Sequence, residues 1–163
     1  MDGCAWGCAF YAGVQAEFER VWGADFGKRV LMQGDSAGAL LATGWALGLP
    51  SSFIKDLYAD LAACGPTEML KLRLSDYHDA AIDSILAKQP DAHIQLRGRL
   101  QIGITVFPRK HIWISDWHDE ADFRNVLHCS MHIPLYCREV PWLHGKPVID
   151  GGVSVGGQHL AHG

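Results

Sequence analysis

Ala37 to Leu47 (AGALLATGWAL) is an apolar run without a charged side chain, closed by Gly48 and Pro50 and opened by the glycine-punctuated GDSAG at Gly34 to Gly38. A helix that is apolar on all sides cannot lie on a surface, so other elements have to enclose it. Just before it, Lys28 to Gln33 (KRVLMQ) is a short apolar run of strand type. Strand, tight turn and enclosed helix restrict the chain to a layered fold in which helices cover a sheet.

Elsewhere the apolar period assigns the elements. Phe10, Val14, Phe18 and Val21 recur at three to four residues, which predicts a helix from near Cys8 to just before Gly23. After Pro50, Ser51 can cap a helix whose stripe is Ile54, Leu57, Tyr58 and Leu61, stopped by Gly65-Pro66, and another helix covers Asp76 to Lys88. The period then changes to two. Leu100 to Phe107 and His111 to Trp117 read as strands about the turn Pro108-Arg109-Lys110, Asp119 to Cys129 as a helix, and Lys146 to Asp150 as a last strand ending in Gly151-Gly152. Strands separated by helical crossovers predict an α/β fold whose largely parallel sheet is covered on both faces.

With 163 residues, 48% of them hydrophobic, the chain has the length of one domain and can bury a core without disulfides or metals. Its net charge is -4 and its Lys and Arg are dispersed along the chain, so it has no basic stripe for a phosphate backbone and nucleic acid is not an expected partner. Five cysteines, Cys4, Cys8, Cys64, Cys129 and Cys137, are an odd number without a CxxC pair, which fits a reducing, cytoplasmic setting. No stretch reaches the ~18 apolar residues of a membrane span, leaving a soluble chain or one attached at a membrane surface. His128 and His132 lie four apart near Cys129 and Cys137, but Pro134 interrupts the helix and no carboxylate completes a set, so neither metal nor cofactor is expected.

Ser36 lies between Gly34 and Gly38 in a G-x-S-x-G pattern. At a strand-to-helix turn this pattern makes a nucleophile elbow, because side chains two residues away on either side would collide in so sharp a turn. The helix that follows aims its positive end at the serine, which favours the anionic charge of acyl transfer. A glycine-rich structural turn is the alternative. A nucleophilic serine also needs a base, and no histidine precedes Ser36; a Ser, Asp, His order could be built from Asp150 and His159, which lies four residues from the end of the sequence.

Three segments together resemble a family: GCAWGCAFYAGV (Gly3 to Val14), GDSAGAL (Gly34 to Leu40) followed by GLP (Gly48 to Pro50), and VIDGGVS (Val148 to Ser154). Between them, Ile114 to Tyr136 matches a strand, a helix and a serine-x-x-Ile-Pro segment. In order and spacing the chain resembles the patatin-like phospholipases, within them the animal-type branch. The resemblance implies a three-layer α/β/α fold and a Ser–Asp dyad, with Ser36 as nucleophile, Asp150 as its partner and Gly151 and Gly152 completing the DGG turn. It assigns the oxyanion hole to Gly3, Cys4 and Ala5, with Cys8 at the last loop position.

The implied activity is hydrolysis of acylglycerol or phospholipid esters through an acyl-serine, at a lipid-droplet or membrane surface and with a protein co-regulator as a further partner. Two departures set an alternative beside it. Ala5 and Cys8 replace glycines of the family loop, and only Met1 and Asp2 precede that loop where the family has a buried strand. The expectation is therefore a fragment, or a sheet without its first strand, and the alternative is a catalytically weak patatin-fold protein that binds lipid or regulates a lipase.

Overall fold

The computed structural model describes positions 1, 7–63 and 73–154, with side chains throughout except at 8 and 60–63. Helix α1 (Cys8–Trp22) ends at Gly23, which takes φ 88°. A 3-10 turn (Phe26–Arg29) leads to strand β1 (Met32–Asp35) and helix α2 (Ala37–Ala46). Helices α3 (Ser51–Ala63), α4 (Leu74–Lys88) and the single turn α5 (Ala92–Gln95) follow. The hairpin β2 (Leu100–Val106) and β3 (Lys110–Ile114), helix α6 (Glu120–Met131), and strands β4 (Trp142–Leu143) and β5 (Lys146–Asp150) complete the order. The Gly65-Pro66 stop expected after α3 lies outside the described residues, as does the side chain of Leu61.

β1 starts four residues later than its apolar run suggests. Gly27 packs so closely on Trp45 that an added Cβ would lie 2.1 Å from its carbonyl oxygen. That contact, with the Arg29 guanidinium donating to Trp22 O (2.7 Å), commits Lys28 and Arg29 to the turn. β3 likewise stops at Ile114, because the carbonyl of Trp117 is taken by Arg97 and its indole donates to His93 O (2.5 Å). Helix α6 is capped by Asp119, whose carboxylate accepts the Asp122 N–H, an N-cap of ordinary kind.

The sheet is mixed and open. β1 runs parallel to β2, with Met32 opposite Leu100 and Asp35 opposite Gly103. β3 lies antiparallel along the other edge of β2. β5 runs antiparallel to β2, with Asp150 opposite Ile104, and β4 pairs β5. Since β3 occupies one edge of β2 from Ile102 to Val106, β1 and β5 share the opposite edge and meet end to end. Both strands point their C-terminal residues at the meeting point. Met1 lies beside β1, its amino group donating to Gln33 O (2.7 Å) and its carbonyl accepting the Asp35 N–H (3.0 Å).

α2 packs on β1 and β2, α6 packs on β2 and β5, and the two helices touch. Their shared core includes Leu40, Leu41, Ile102, Ile104, Phe123 and Val126, all nearly inaccessible. Each such side chain contributes about 1.5–3 kcal/mol by leaving water. α2 is buried from Gly38 to Ala46, as its lack of polar residues requires. α1 is tied to the start of α3 by Glu19, whose carboxylate accepts from Ser51 N (3.1 Å) and Ser51 Oγ (2.8 Å). An α/β fold with helices layered on an open sheet is the architecture the α/β/α resemblance implies.

Candidate active site

The turn from β1 into α2 is as tight as G-x-S-x-G implies. A Cβ on Gly34 would lie 2.3 Å from the carbonyl oxygen of Gly38, a backbone atom that cannot move aside. Ser36 itself takes φ 54° and ψ -131°, a left-handed backbone that a side chain rarely adopts. Two hydrogen bonds secure it: the Ser36 N–H donates to Ser130 Oγ (2.9 Å), and the Ser130 hydroxyl donates to Gly103 O (2.7 Å). One side chain at the end of α6 thus fastens the serine turn to β2.

The same segment holds the DGG turn. Asp150 N donates to His132 O (2.8 Å) and Gly151 N to Ser130 O (3.0 Å). Gly152 N donates to Asp150 Oδ1 (2.8 Å), closing the turn on its own carboxylate. Ser36 and Asp150 are 8% and 7% exposed, so both sit where water has little access. The elements that carry them meet end to end on β2, and this brings the hydroxyl to the carboxyl.

Burial pushes the Asp150 carboxyl up to about 6; the Ser36 hydroxyl and the Gly152 N–H pull it down by hydrogen bonding, and the charge of Asp35 adds to the rise. Its Oδ1 accepts from Gly152 N, whereas Oδ2 has no hydrogen bond of ordinary geometry. The pair is a hydroxyl beside a water-shielded carboxyl whose proton affinity is raised toward neutrality, an arrangement able to move a proton from oxygen to oxygen.

Of the other sequence-predicted residues, Gly38 is buried in α2. Gly3, Cys4 and Ala5, assigned to the oxyanion hole, lie outside the described residues, as does His159. Cys129 and Cys137 are buried free thiols. Burial first pushes both thiols up, Cys129 to about 12, which leaves them poor nucleophiles.

Three residues at the site escaped sequence reasoning: Ser130, Asp35 and His111. Ser130 had a signal in the serine-x-x-Ile-Pro segment. Asp35 stands at the variable position of G-x-S-x-G, and a carboxyl beside the candidate serine is itself a signal. His111 becomes relevant only through the β2–β3 register, which sets it opposite Thr105.

A cavity of about 340 Å³ lies between α4 and the end of α6, lined by His78, Asp79, His128, His132, Cys137 and Arg138 among others. His128 Nε2 meets Asp79 Oδ1 at 3.0 Å. Enclosure, then the neighbouring His128 and His132, lowers the pKa of His78. Among the described residues no cluster of histidine, cysteine and carboxylate side chains could hold a metal ion.

No protein-family model matches the chain. Among curated proteins it is 28% identical over 126 residues to the mouse "1-acylglycerol-3-phosphate O-acyltransferase Pnpla3", covering 74% of this chain and 30% of that protein. It is 28% identical over 137 residues to mouse "Patatin-like phospholipase domain-containing protein 5" and 29% identical over 128 residues to the human protein of that name, in each case over 74% of this chain and 29% of the relative. The chain therefore spans about a third of the length of the curated relatives it matches. These similarities support the patatin-like family.

Proposed function

We propose that the chain is a patatin-like lipid acyl hydrolase that works through Ser36 and Asp150 and an acyl-serine intermediate. The observation that carries this reading is the Asp150 carboxyl, buried, raised to about 6 and acted on by the Ser36 hydroxyl. A carboxylate of ordinary pKa, near ~4, is a weak base toward a hydroxyl, and raising it toward working pH improves the match.

As Ser36 Oγ bonds to the ester carbonyl carbon, its proton passes to Asp150 and the carbonyl oxygen takes up negative charge. Collapse breaks the bond to the leaving alcohol, which receives the proton from Asp150 and leaves an acyl group on Ser36. Water then attacks the acyl group, Asp150 again takes the proton and returns it to Ser36, and the fatty acid departs. An alcohol in place of water would give acyl transfer, the reaction in the name of the mouse acyltransferase. The N-terminal turn of α2, directly after Ser36, presents the positive end of a helix to the developing charge. Gly3, Cys4 and Ala5 are the proposed amide donors to the oxyanion. The substrates are acylglycerols or phospholipids met at a droplet or membrane surface, with a protein co-regulator as a further partner.

A fluorophosphonate probe should label the folded protein at Ser36, and Ser36→Ala should abolish both labelling and ester hydrolysis. Asp150→Asn should lower turnover by about 10²–10⁴-fold. Because the carboxylate must be ionised, kcat/KM should fall about tenfold per pH unit below about 6. Folded protein that takes no label would overturn the reading and favour a non-catalytic lipid-binding protein on the same fold.

A further inference from the structure

Some of the exposed apolar side chains gather at one end of the sheet. Where β2 enters the β2–β3 turn, Phe107 N donates to Pro147 O of β5 (3.2 Å), and Pro147 is itself paired with Trp142 of β4. Phe107, Pro147 and Trp142 therefore lie side by side across three chain segments. Side chains alternate along a strand, so with Leu143 buried and β4 packed on α6, Trp142 faces away from that helix. Phe107 is 66% exposed and Trp142 61%. Val140, next to the Pro141 carbonyl that accepts Val148 N, is exposed as well. Large apolar side chains left in water at neighbouring positions mark a surface for a partner.

The same end of the sheet is basic. The β2–β3 turn leads through Arg109 to Lys110, the β4–β5 turn leads to Lys146, and all three side chains are exposed. Because β5 runs antiparallel to β2, the two turns lie next to each other. No aspartate or glutamate occurs from Gly103 to Ser115 or from Val140 to Ile149, in a chain whose net charge is -4. Arg20, Arg97 and Arg124 are each paired with a carboxylate, whereas among the described residues Arg109, Lys110 and Lys146 form no ion pair. The second tip is tightly built, since His144 and Gly145 take φ 49° and 75°, two left-handed residues in succession as a type I′ hairpin turn requires.

We propose that these two hairpin tips dock the protein on an anionic phospholipid bilayer, with Phe107 and Trp142 entering the interface and Arg109, Lys110 and Lys146 meeting the lipid phosphates. This rests on the hydrolase reading above for the lipid it brings to Ser36. Charge selects the occupant. Aromatic rings settle at headgroup level, and each cation beside them gains from a negative membrane surface. A zwitterionic surface over neutral lipid offers the apolar contact without that gain. A second copy joined by two-fold symmetry would set the unpaired cations against their own kind. The place of the patch also suits delivery: Asp150 lies opposite Ile104 of β2, so the base stands roughly 10 Å along the strand from Phe107.

The test is co-sedimentation of the full chain with vesicles of phosphatidylcholine, with and without phosphatidylserine, at low and high salt. The protein should bind the phosphatidylserine vesicles at low salt and release them at high salt, because exposed charges are screened. Arg109→Gln, Lys110→Gln and Lys146→Gln combined should weaken that binding by about 10–100-fold. Trp142→Ala and Phe107→Ala should each weaken it by about fivefold or more. Equal binding to phosphatidylcholine vesicles or to a triolein emulsion coated with phosphatidylcholine overturns the proposal, as does undiminished binding by the triple variant. Self-association that Trp142→Ala abolishes, in place of vesicle binding, overturns it too. Should Trp142→Ala fail to fold, Phe107→Ala and the triple variant decide in the same terms. Binding is read without turnover, so an inactive protein that binds defeats the hydrolase reading alone, and an active protein that does not bind defeats this one alone.

Discussion

In the proposed mechanism Asp150 has to be ionised to take a proton from Ser36, yet it is placed where a charge is poorly solvated. Its pKa in the folded chain, about 6, lies above the ordinary carboxylate value of 3.8. A group raised in this way favours the folded state fully below its unfolded pKa, and that contribution is lost as pH rises through about 6. At neutral pH the ionised carboxylate therefore works against stability, by roughly 2–3 kcal/mol for a shift of this size. Asp150→Asn should stabilise the protein by up to that amount at pH 8, with the gain vanishing below about pH 4, as read from urea unfolding. Gly34→Ala meets a different obstacle, a backbone oxygen at 2.3 Å, and should cost about 3 kcal/mol or more in the same assay. Ser36 and Asp150 could be singled out in the sequence as candidates because each stands in a short motif with its own glycines. The Asp35–His111 pair could not, since its partners come together only through strand register. One trace of it was present all the same: a lone glycine inside LQIGITV signals that something approaches the backbone, and at Gly103 that is the Asp35 carboxyl.

At the C-terminal end of α6 a single residue ties three strands together, two through its side chain and one through its main chain. Ser130 Oγ accepts from Ser36 N at the end of β1 and donates to β2, while Ser130 O accepts from Gly151 N just after β5. Ser130→Ala leaves Ser36 N and Gly103 O without these partners in a buried place, and should cost about 1–3 kcal/mol. Because the lost bond holds the strained serine turn, fluorophosphonate labelling should slow in the same variant while the Ser36→Ala control stays unlabelled. Element type was largely readable. α1, the β2–β3 hairpin, α6 and β5 follow directly from apolar period and glycine stops. Boundaries were less so, because tertiary contacts set them: β1 yields its first residues to a turn seated on Trp45, and β3 loses its last ones to the docking of Trp117 against His93.

Across the whole molecule, acid and base terms act in opposite directions. His78 and His132 have lowered pKa values, both chiefly from burial, so their contribution is present above an unfolded value near 6.5 and is lost as pH falls through their folded values. His78→Gln should therefore lose less stability than the wild type between about pH 6.5 and 4, as a set of melts of both proteins in matched buffers would record. No helix among the described residues is long and apolar enough to cross a membrane. Exposed apolar side chains do occur, among them Leu135 at 86% and Trp142 at 61%, both in the stretch after α6 whose start holds Asp150 N. The order of layers was readable from the enclosed α2 helix, whereas the meeting of β1 with β5 was not, because no local pattern records which strands share an edge. That meeting has a kinetic consequence. The proposed nucleophile and base ride at the ends of strands that never pair with each other, and each reaches its place only by zipping onto β2 across a long span of chain. During refolding, helices and the β2–β3 hairpin can form early from local contacts, but competence at Ser36 has to wait for the slowest long-range pairing, which makes its chemistry a late clock for the folding of the sheet.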